Sequence, residues 1–130
     1  MKKPIGFLFL VAIILFSSLA GAAQTRIRFA RGATSAVVTG TLRGFNSERV
    51  YVVRVRRGQR LRVEQIGSTH PVTTTLTDPA GEDASDMDAS CNSRKDHSPT
   101  KRGDYRITVV ECRKADRWRG RFRLRVRVTG

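Results

Sequence analysis

Hydrophobic and polar residues alternate along this chain with the period of a β-strand. In Arg121-Phe122-Arg123-Leu124-Arg125-Val126-Arg127-Val128 the alternation is unbroken. Successive strand side chains point to opposite faces, so Phe122, Leu124, Val126 and Val128 face a core and the four arginines face solvent. In 60–66, Leu61, Val63 and Gln65 share one face, with Arg60, Arg62 and Glu64 on the other. Further strands are predicted at 26–29, 34–42, 49–55, 72–77 and 104–110. They are separated by Gly44, Asn46-Ser47, Arg57-Gly58-Gln59 and Asp78-Pro79-Ala80-Gly81, all turn formers. Residues 82–102 are polar and predict a long surface loop pinned at Cys91. No helical period and no internal repeat appears. The pattern predicts an all-β fold, a single antiparallel β-sandwich of about six to eight short strands.

The first residues follow a different pattern. Lys2 and Lys3 precede an apolar run over 5–16, and Ala20-Gly21-Ala22-Ala23 supplies small side chains. The run is too short for a bilayer, which needs about 20 helical residues, and the arrangement is that of an export signal. Residues 1–23 are therefore expected to be a cleaved signal peptide. Residues 24–130 would be one domain, periplasmic or secreted, with no integral membrane segment left.

Export changes the reading of the cysteines. Cys91 and Cys112 are the only two, and in an oxidising compartment one disulfide is the simplest outcome. Their spacing does not suit a zinc site, which only His70 and His97 could complete. Charge adds a partner class. The formal charge is +14, and loss of Lys2 and Lys3 leaves +12; twenty of the 23 remaining basic residues are arginine. An acidic partner is implied: anionic cell-envelope polymers such as glycans, or lipid headgroups, which would make the chain a non-enzymatic envelope-binding module; nucleic acid; or a protein with a carboxylate-lined site. Nucleic acid is not expected, because single-strand binders add exposed aromatic platforms, whereas Tyr51 and Tyr105 fall on core faces.

Little else offers chemistry. Asp96-His97-Ser98 is adjacent in sequence, but a triad must converge through the fold, and both histidines read as surface residues. Glu82, Asp83, Asp86 and Asp88 lack the calcium-loop spacing, and Arg102-Gly103-Asp104 reads as a strand-entry turn. No catalytic residue, metal or cofactor is expected. The aperiodic stretch Arg113-Lys114-Ala115-Asp116-Arg117-Trp118-Arg119 stands apart. Its arginines lie on no periodic face and sit between two strands, which would hold a basic loop rigidly.

Phe29-Ala30-Arg31-Gly32-Ala33-Thr34-Ser35-Ala36, then Gly40, Gly44, Tyr51 and Arg57-Gly58-Gln59, resembles the first half of the bacterial periplasmic inhibitors of g-type (goose-type) lysozyme. Gly103-Asp104-Tyr105-Arg106-Ile107-Thr108-Val109 and the loop after Cys112 are similar to the second half. The likeness runs from Arg26 to Val128, without alignment over 68–102. The Gly, Gly-Gln and Gly-Asp-Tyr pieces are also similar to pre-peptidase C-terminal β-sandwiches. The family's two loop arginines stand four apart, as Arg113 and Arg117 do. Its tyrosine after the second loop glycine is replaced here by Phe45. The resemblance implies a β-sandwich that blocks the acidic active-site cleft of g-type lysozyme with loop side chains. Arg113 is the first expected contact and Arg117 the second, with Phe45 beside them. Trp118 and Arg119 join them because Trp and Arg dominate binding hot spots.

Overall fold

In a computed structural model of the chain, residues 23–67, 70–85, 91 and 94–130 are described. The expected signal peptide, apart from its last residue, lies outside the described residues, as do Asp86 and Asp88. The described residues contain no helix long and apolar enough to cross a membrane. They form eight strands: β1 Gln24–Arg26, β2 Ser35–Arg43, β3 Glu48–Val55, β4 Arg60–Ile66, β5 Val72–Thr77, β6 Arg94–His97, β7 Gly103–Glu111 and β8 Arg119–Thr129. One sheet runs β1-β3-β7-β5 and the other β2-β8-β4-β6. The fold is an all-β sandwich, as the alternation predicts.

The core is the sum of the inward faces. Phe122, Leu124 and Val126 of β8, Leu61 and Val63 of β4, and Tyr105, Ile107 and Val109 of β7 are all buried. Tyr51 of β3 meets Phe122 of β8 edge to face across the sandwich, centroids 6.4 Å apart. Gly40 of β2 lies against that pair. A Cβ there would overlap both the Phe122 ring and the Tyr51 hydroxyl, so this close approach requires glycine.

Two elements differ from the sequence reading. The opening strand is Gln24–Arg26 and runs parallel to β3, with Gln24 opposite Val50, where an antiparallel strand over 26–29 was expected. The chain leaves the sheet edge early because Ile27 and Phe29 pack into the core. Ile27 still donates its N–H to Val52 O at 2.8 Å. The second difference is β6, inside the expected loop. It pairs with β4, Asp96 opposite Arg62 and Lys95 opposite Val63. Ions hold it in place of apolar alternation. Asp96 accepts Arg60 at 2.8 and 2.8 Å and Arg62 at 3.2 and 3.0 Å. Lys95, 3% exposed, lies opposite an inward-facing valine.

The same pairing corrects the histidine reading. His97 is half-buried and its Nε2 lies 3.2 Å from the Tyr105 hydroxyl, which also accepts the Lys101 N–H at 2.9 Å. It is a structural residue. The turn readings hold: Gly81 N–H returns to Asp78 O at 3.0 Å, and Gly103-Asp104 leads into β7, where Arg26 grips Asp104 at 3.0 and 2.9 Å. Cys91 and Cys112 are joined, Cα atoms 5.2 Å apart and 21 residues apart in sequence. A ring of that size stabilises by about 3 kcal/mol in the chain-entropy account.

The Arg60 and Arg62 guanidiniums hold the Asp96 carboxyl down at about 2. The unfolded chain therefore takes up a proton at Asp96 more readily than the folded one. The stabilisation is complete above about pH 4 and fades as pH falls through the folded value. Asp78, Asp83 and Asp104 are lowered too and act in the same direction. Urea unfolding of wild type should show stability falling between these pH values, with a shallower fall in Asp96→Asn. An equally steep fall in the variant would remove Asp96 from the account.

Candidate functional site

Three connections meet at one end of the sandwich: 44–47 between β2 and β3, the described residues Gly67, His70 and Pro71 between β4 and β5, and 112–118 between β7 and β8. The last crosses from one sheet to the other and is tied down at both ends. At its start, Cys112 is buried, disulfide-bonded, and donates its N–H to Pro71 O at 3.1 Å. Ala115 N–H then turns back to Cys112 O at 3.1 Å. At its far end, Trp118 donates its backbone N–H to Glu111 Oε1 at 2.7 Å and its indole N–H to Pro71 O at 3.2 Å. His70 stacks on the indole, centroids 4.6 Å apart, and its Nδ1 lies 3.3 Å from Arg121 O.

Trp118 is therefore half-buried and packed against the core. Its ring braces the loop from beneath, and His70 is part of that brace. Arg119 is no longer loop: it opens β8 opposite Arg43, on the outward face with Arg121 and Arg123. Arg113 and Arg117 are both exposed within the loop. The Arg117 guanidinium carbon sits 5.2 Å from the centre of the Phe45 ring, a cation–π contact worth about 0.5–1 kcal/mol at an exposed site. Arg113 has no hydrogen bond or ion pair among the described residues. The structure thus brings Phe45, Arg113, Arg117 and Trp118 together at one end, with Arg113 free and Arg117 already engaged.

Gly44 makes the junction between the two connections possible. It has φ +106, and a Cβ there would lie 3.5 Å from Arg117 Cδ and 3.8 Å from Glu111 Oε2. The positive φ is open to glycine at little cost, and Ser47 N–H closes the turn on Gly44 O at 3.0 Å. The aliphatic stem of Arg117 lies along this glycine, which sets its head over the neighbouring phenylalanine.

Glu111 is the residue that sequence reasoning missed. It is 1% exposed, and its Oε2 has no hydrogen-bond partner among the described residues. A signal was present: Tyr105, Ile107, Val109 and Glu111 share one parity, so the alternation of β7 drives its last carboxylate inward. Burying a carboxylate is costly without donors, and the Trp118 amide is the donor the fold supplies. Among the described residues no group of His, Cys, Asp or Glu is placed to hold a metal ion.

No protein-family model matches the chain, and no curated protein matches it. Solved structures do. A periplasmic inhibitor of g-type lysozyme from Aeromonas hydrophila, PliG, is similar at TM-score 0.68 and 20% identity, covering 83% of this chain and 97% of that one. The Salmonella Typhimurium PliG is similar at TM-score 0.60 and 19% identity, covering 84% and 99%. The pre-peptidase C-terminal domain of a Bacillus anthracis collagenase is similar at TM-score 0.53 and 17% identity, covering 84% and 97%. Both groups that the sequence motifs resemble are thus structural neighbours, and the shared sandwich spans most of the chain.

Glu111→Ala should lower stability by about 1–3 kcal/mol, because it leaves the Trp118 amide unpaired below the loop. Glu111→Gln keeps an acceptor oxygen and removes a buried charge, so it should unfold at the same urea concentration as wild type or higher. An alanine variant as stable as wild type would mean that the carboxylate does not anchor the loop.

Proposed function

We propose that this chain is a periplasmic, non-enzymatic inhibitor of g-type lysozyme, which inserts the side chain of Arg113 into the hydrolase cleft. The observation that carries the reading is the division of labour between the two loop arginines. Arg117 is held over Phe45, whereas Arg113 is exposed and unpaired on a loop pinned by a disulfide and by Glu111. A pinned loop leaves only the arginine side chain to be ordered on binding, which lowers the entropy cost of the contact. Support also comes from the neighbours, since the Aeromonas and Salmonella proteins are named as periplasmic inhibitors of g-type lysozyme. The leader read from the sequence agrees with that compartment.

The chemistry of the target completes the reading. A glycosidase cleft must present carboxylates, and guanidinium grips a carboxylate through two parallel hydrogen bonds while staying charged at any relevant pH. Arg113 is the group that meets a cleft carboxylate. Arg117 and Phe45 form the wall beside it, and Trp118 supports the loop from below. Arg119, on the outward face of β8, lies where the rim of a partner would pass. Total charge contributes by steering an acidic partner, an effect that weakens with salt.

Arg113→Ala should weaken inhibition of a g-type lysozyme by about 30-fold or more, the loss expected for a charge pair at an interface centre. Arg113→Lys should recover only part, since an ammonium cannot make the two-pronged contact. Phe45→Tyr, which restores the family's hydroxyl, should leave potency unchanged or improved. Arg123→Gln with Arg125→Gln should leave it nearly intact. Lysis assays against g-type lysozyme, with circular dichroism to confirm folding, decide the matter. The reading fails if wild type does not inhibit, or if folded Arg113→Ala is as potent as wild type.

A further inference from the structure

At the opposite end of the sandwich the chain builds a second basic feature that the loop does not use. A groove of about 780 Å³ opens between the end of β3, the β3–β4 turn and the end of β8. Arg54, Arg56, Arg57 and Arg102 line it together with Phe29 and Val128, and no acidic side chain does. Arg54 lies near Asp104, whose carboxyl is lowered by Arg26 first, with Arg54 and Arg106 contributing. Arg56, Arg57 and Arg102 have no ion-pair partner among the described residues. Ion pairs engage arginines on other faces: Arg60, Arg62 and Arg94 with Asp96, Arg125 with Glu64, Arg26 with Asp104. What sets the groove apart from the arginine-bearing strand faces is its concave shape, which gathers three unpaired guanidiniums and Arg54 with no carboxylate among them.

The turn that carries Arg56 and Arg57 is also rigid. Gln59 Oε1 accepts the Arg56 N–H at 2.7 Å, and Gln59 Nε2 donates to Gly130 O at 3.2 Å. Thr100, 2% exposed, donates its hydroxyl to Arg56 O at 2.6 Å and accepts the Gln59 N–H at 2.9 Å. Gly58, at φ +80, gives its N–H to Thr100 O at 2.8 Å, and Thr100 returns its own to Gln59 O at 2.8 Å. Both sides of the turn are thus fastened to buried or terminal backbone. A backbone held this way favours anion binding, because only the arginine side chains remain to be ordered when the anion arrives.

We infer that this groove binds a phosphate-bearing anionic polymer of the cell envelope, several phosphate groups of one chain lying along the arginines. Guanidinium binds phosphate through paired hydrogen bonds, and the four arginines lining the groove offer sites for more than one such group. A bilayer surface fits less well. Membrane docking needs exposed apolar side chains to enter the headgroup layer, whereas Val128 is 9% exposed, Val55 3%, and Phe29 is half-buried against the core. The one exposed large hydrophobic residue described, Val37 on β2, does not line the groove. The site lies at the other end from Arg113, so a chain bound there leaves the loop free, and an inhibitor so tethered would be retained beside the wall polymer. The groove itself does not depend on the inhibitor reading.

Inorganic polyphosphate is the probe, titrated into the full mature chain by calorimetry at several salt concentrations. Wild type should bind. Arg56→Gln with Arg57→Gln should bind about tenfold more weakly or worse, having lost charge-assisted contacts from two groove cations. Its slope of log affinity against log salt should fall by about one per arginine removed. Arg123→Gln with Arg125→Gln, on the β8 face, should stay within about twofold, with thermal unfolding confirming that both variants fold. Equal losses in the two variants, or no binding by wild type, would overturn the site in favour of diffuse charge or none. Sedimentation with phosphatidylcholine vesicles containing phosphatidylglycerol is the second arm. Binding there that matches polyphosphate and needs Arg56 and Arg57 would replace the polymer with a membrane surface. The groove variant should inhibit g-type lysozyme as wild type does. A wild type that binds polyphosphate without inhibiting would overturn only the inhibitor reading.

Discussion

The two sheets close along β8. Phe122, Leu124, Val126 and Val128 all point between the sheets, and β8 is hydrogen-bonded to β2 on one side and β4 on the other. Fully burying side chains of this size stabilises by about 1.5–3 kcal/mol each, so this one face holds a large share of the core. The same burial sets the register. A slip of one residue would place four arginines in the core and four apolar side chains in water. Everything at either end of the sandwich inherits its position from that seam.

From the seam, the two ends diverge in chemistry. At the start of β8 the connection from β7 must cross between sheets, and it is held by Cys112, Glu111 and Trp118. These groups use their polarity internally, which leaves the exposed arginines as the part facing outward. At the end of β8 the chain returns to Gln59 and Thr100, whose hydrogen bonds fasten a turn of two arginines. Both ends therefore follow one construction: a buried polar residue fixes backbone, and the fixed backbone presents guanidinium. The proposed cleft contact and the proposed polymer groove differ in shape, one projecting and one concave. This difference suits a partner with a cleft in the first case and an extended chain in the second.

High positive charge shapes the fold as well as the surface. Arginines in adjacent outward positions repel, and Asp96 and Glu64 sit among them as counter-charges. Asp96 does more than neutralise, since its bonds to Arg60 and Arg62 add to the backbone ladder that joins β6 to β4. Exposed ion pairs are individually weak. This one gains from sharing a single carboxylate between two guanidiniums at a position that is only partly exposed.

Period-two alternation alone determined the sandwich class, the faces of β4 and β8 and the fully apolar β8 seam, because burial of one sheet face is a local property of each strand. The turn at Asp78-Pro79-Ala80-Gly81 was legible for the same reason, its geometry being set by residue type. The pairing of Cys91 with Cys112 was legible by elimination, there being no other cysteine. Tertiary structure decided what depends on contacts between distant segments. β6 has no apolar period, so its existence rests on Asp96 meeting Arg60 and Arg62, over thirty residues away in sequence. The parallel edge β1 rests on Ile27 finding the core. Within the loop, the family resemblance ranked Arg113 before Arg117, and hot-spot composition added Trp118 and Arg119; the fold gave each a different environment. Trp118 bonds to Glu111 and Pro71, Arg117 covers Phe45, Arg119 enters β8, and Arg113 is the loop arginine left without a partner among the described residues. The reason is physical: which polar groups are free to bind a partner depends on which are already satisfied inside, and that accounting closes only in three dimensions.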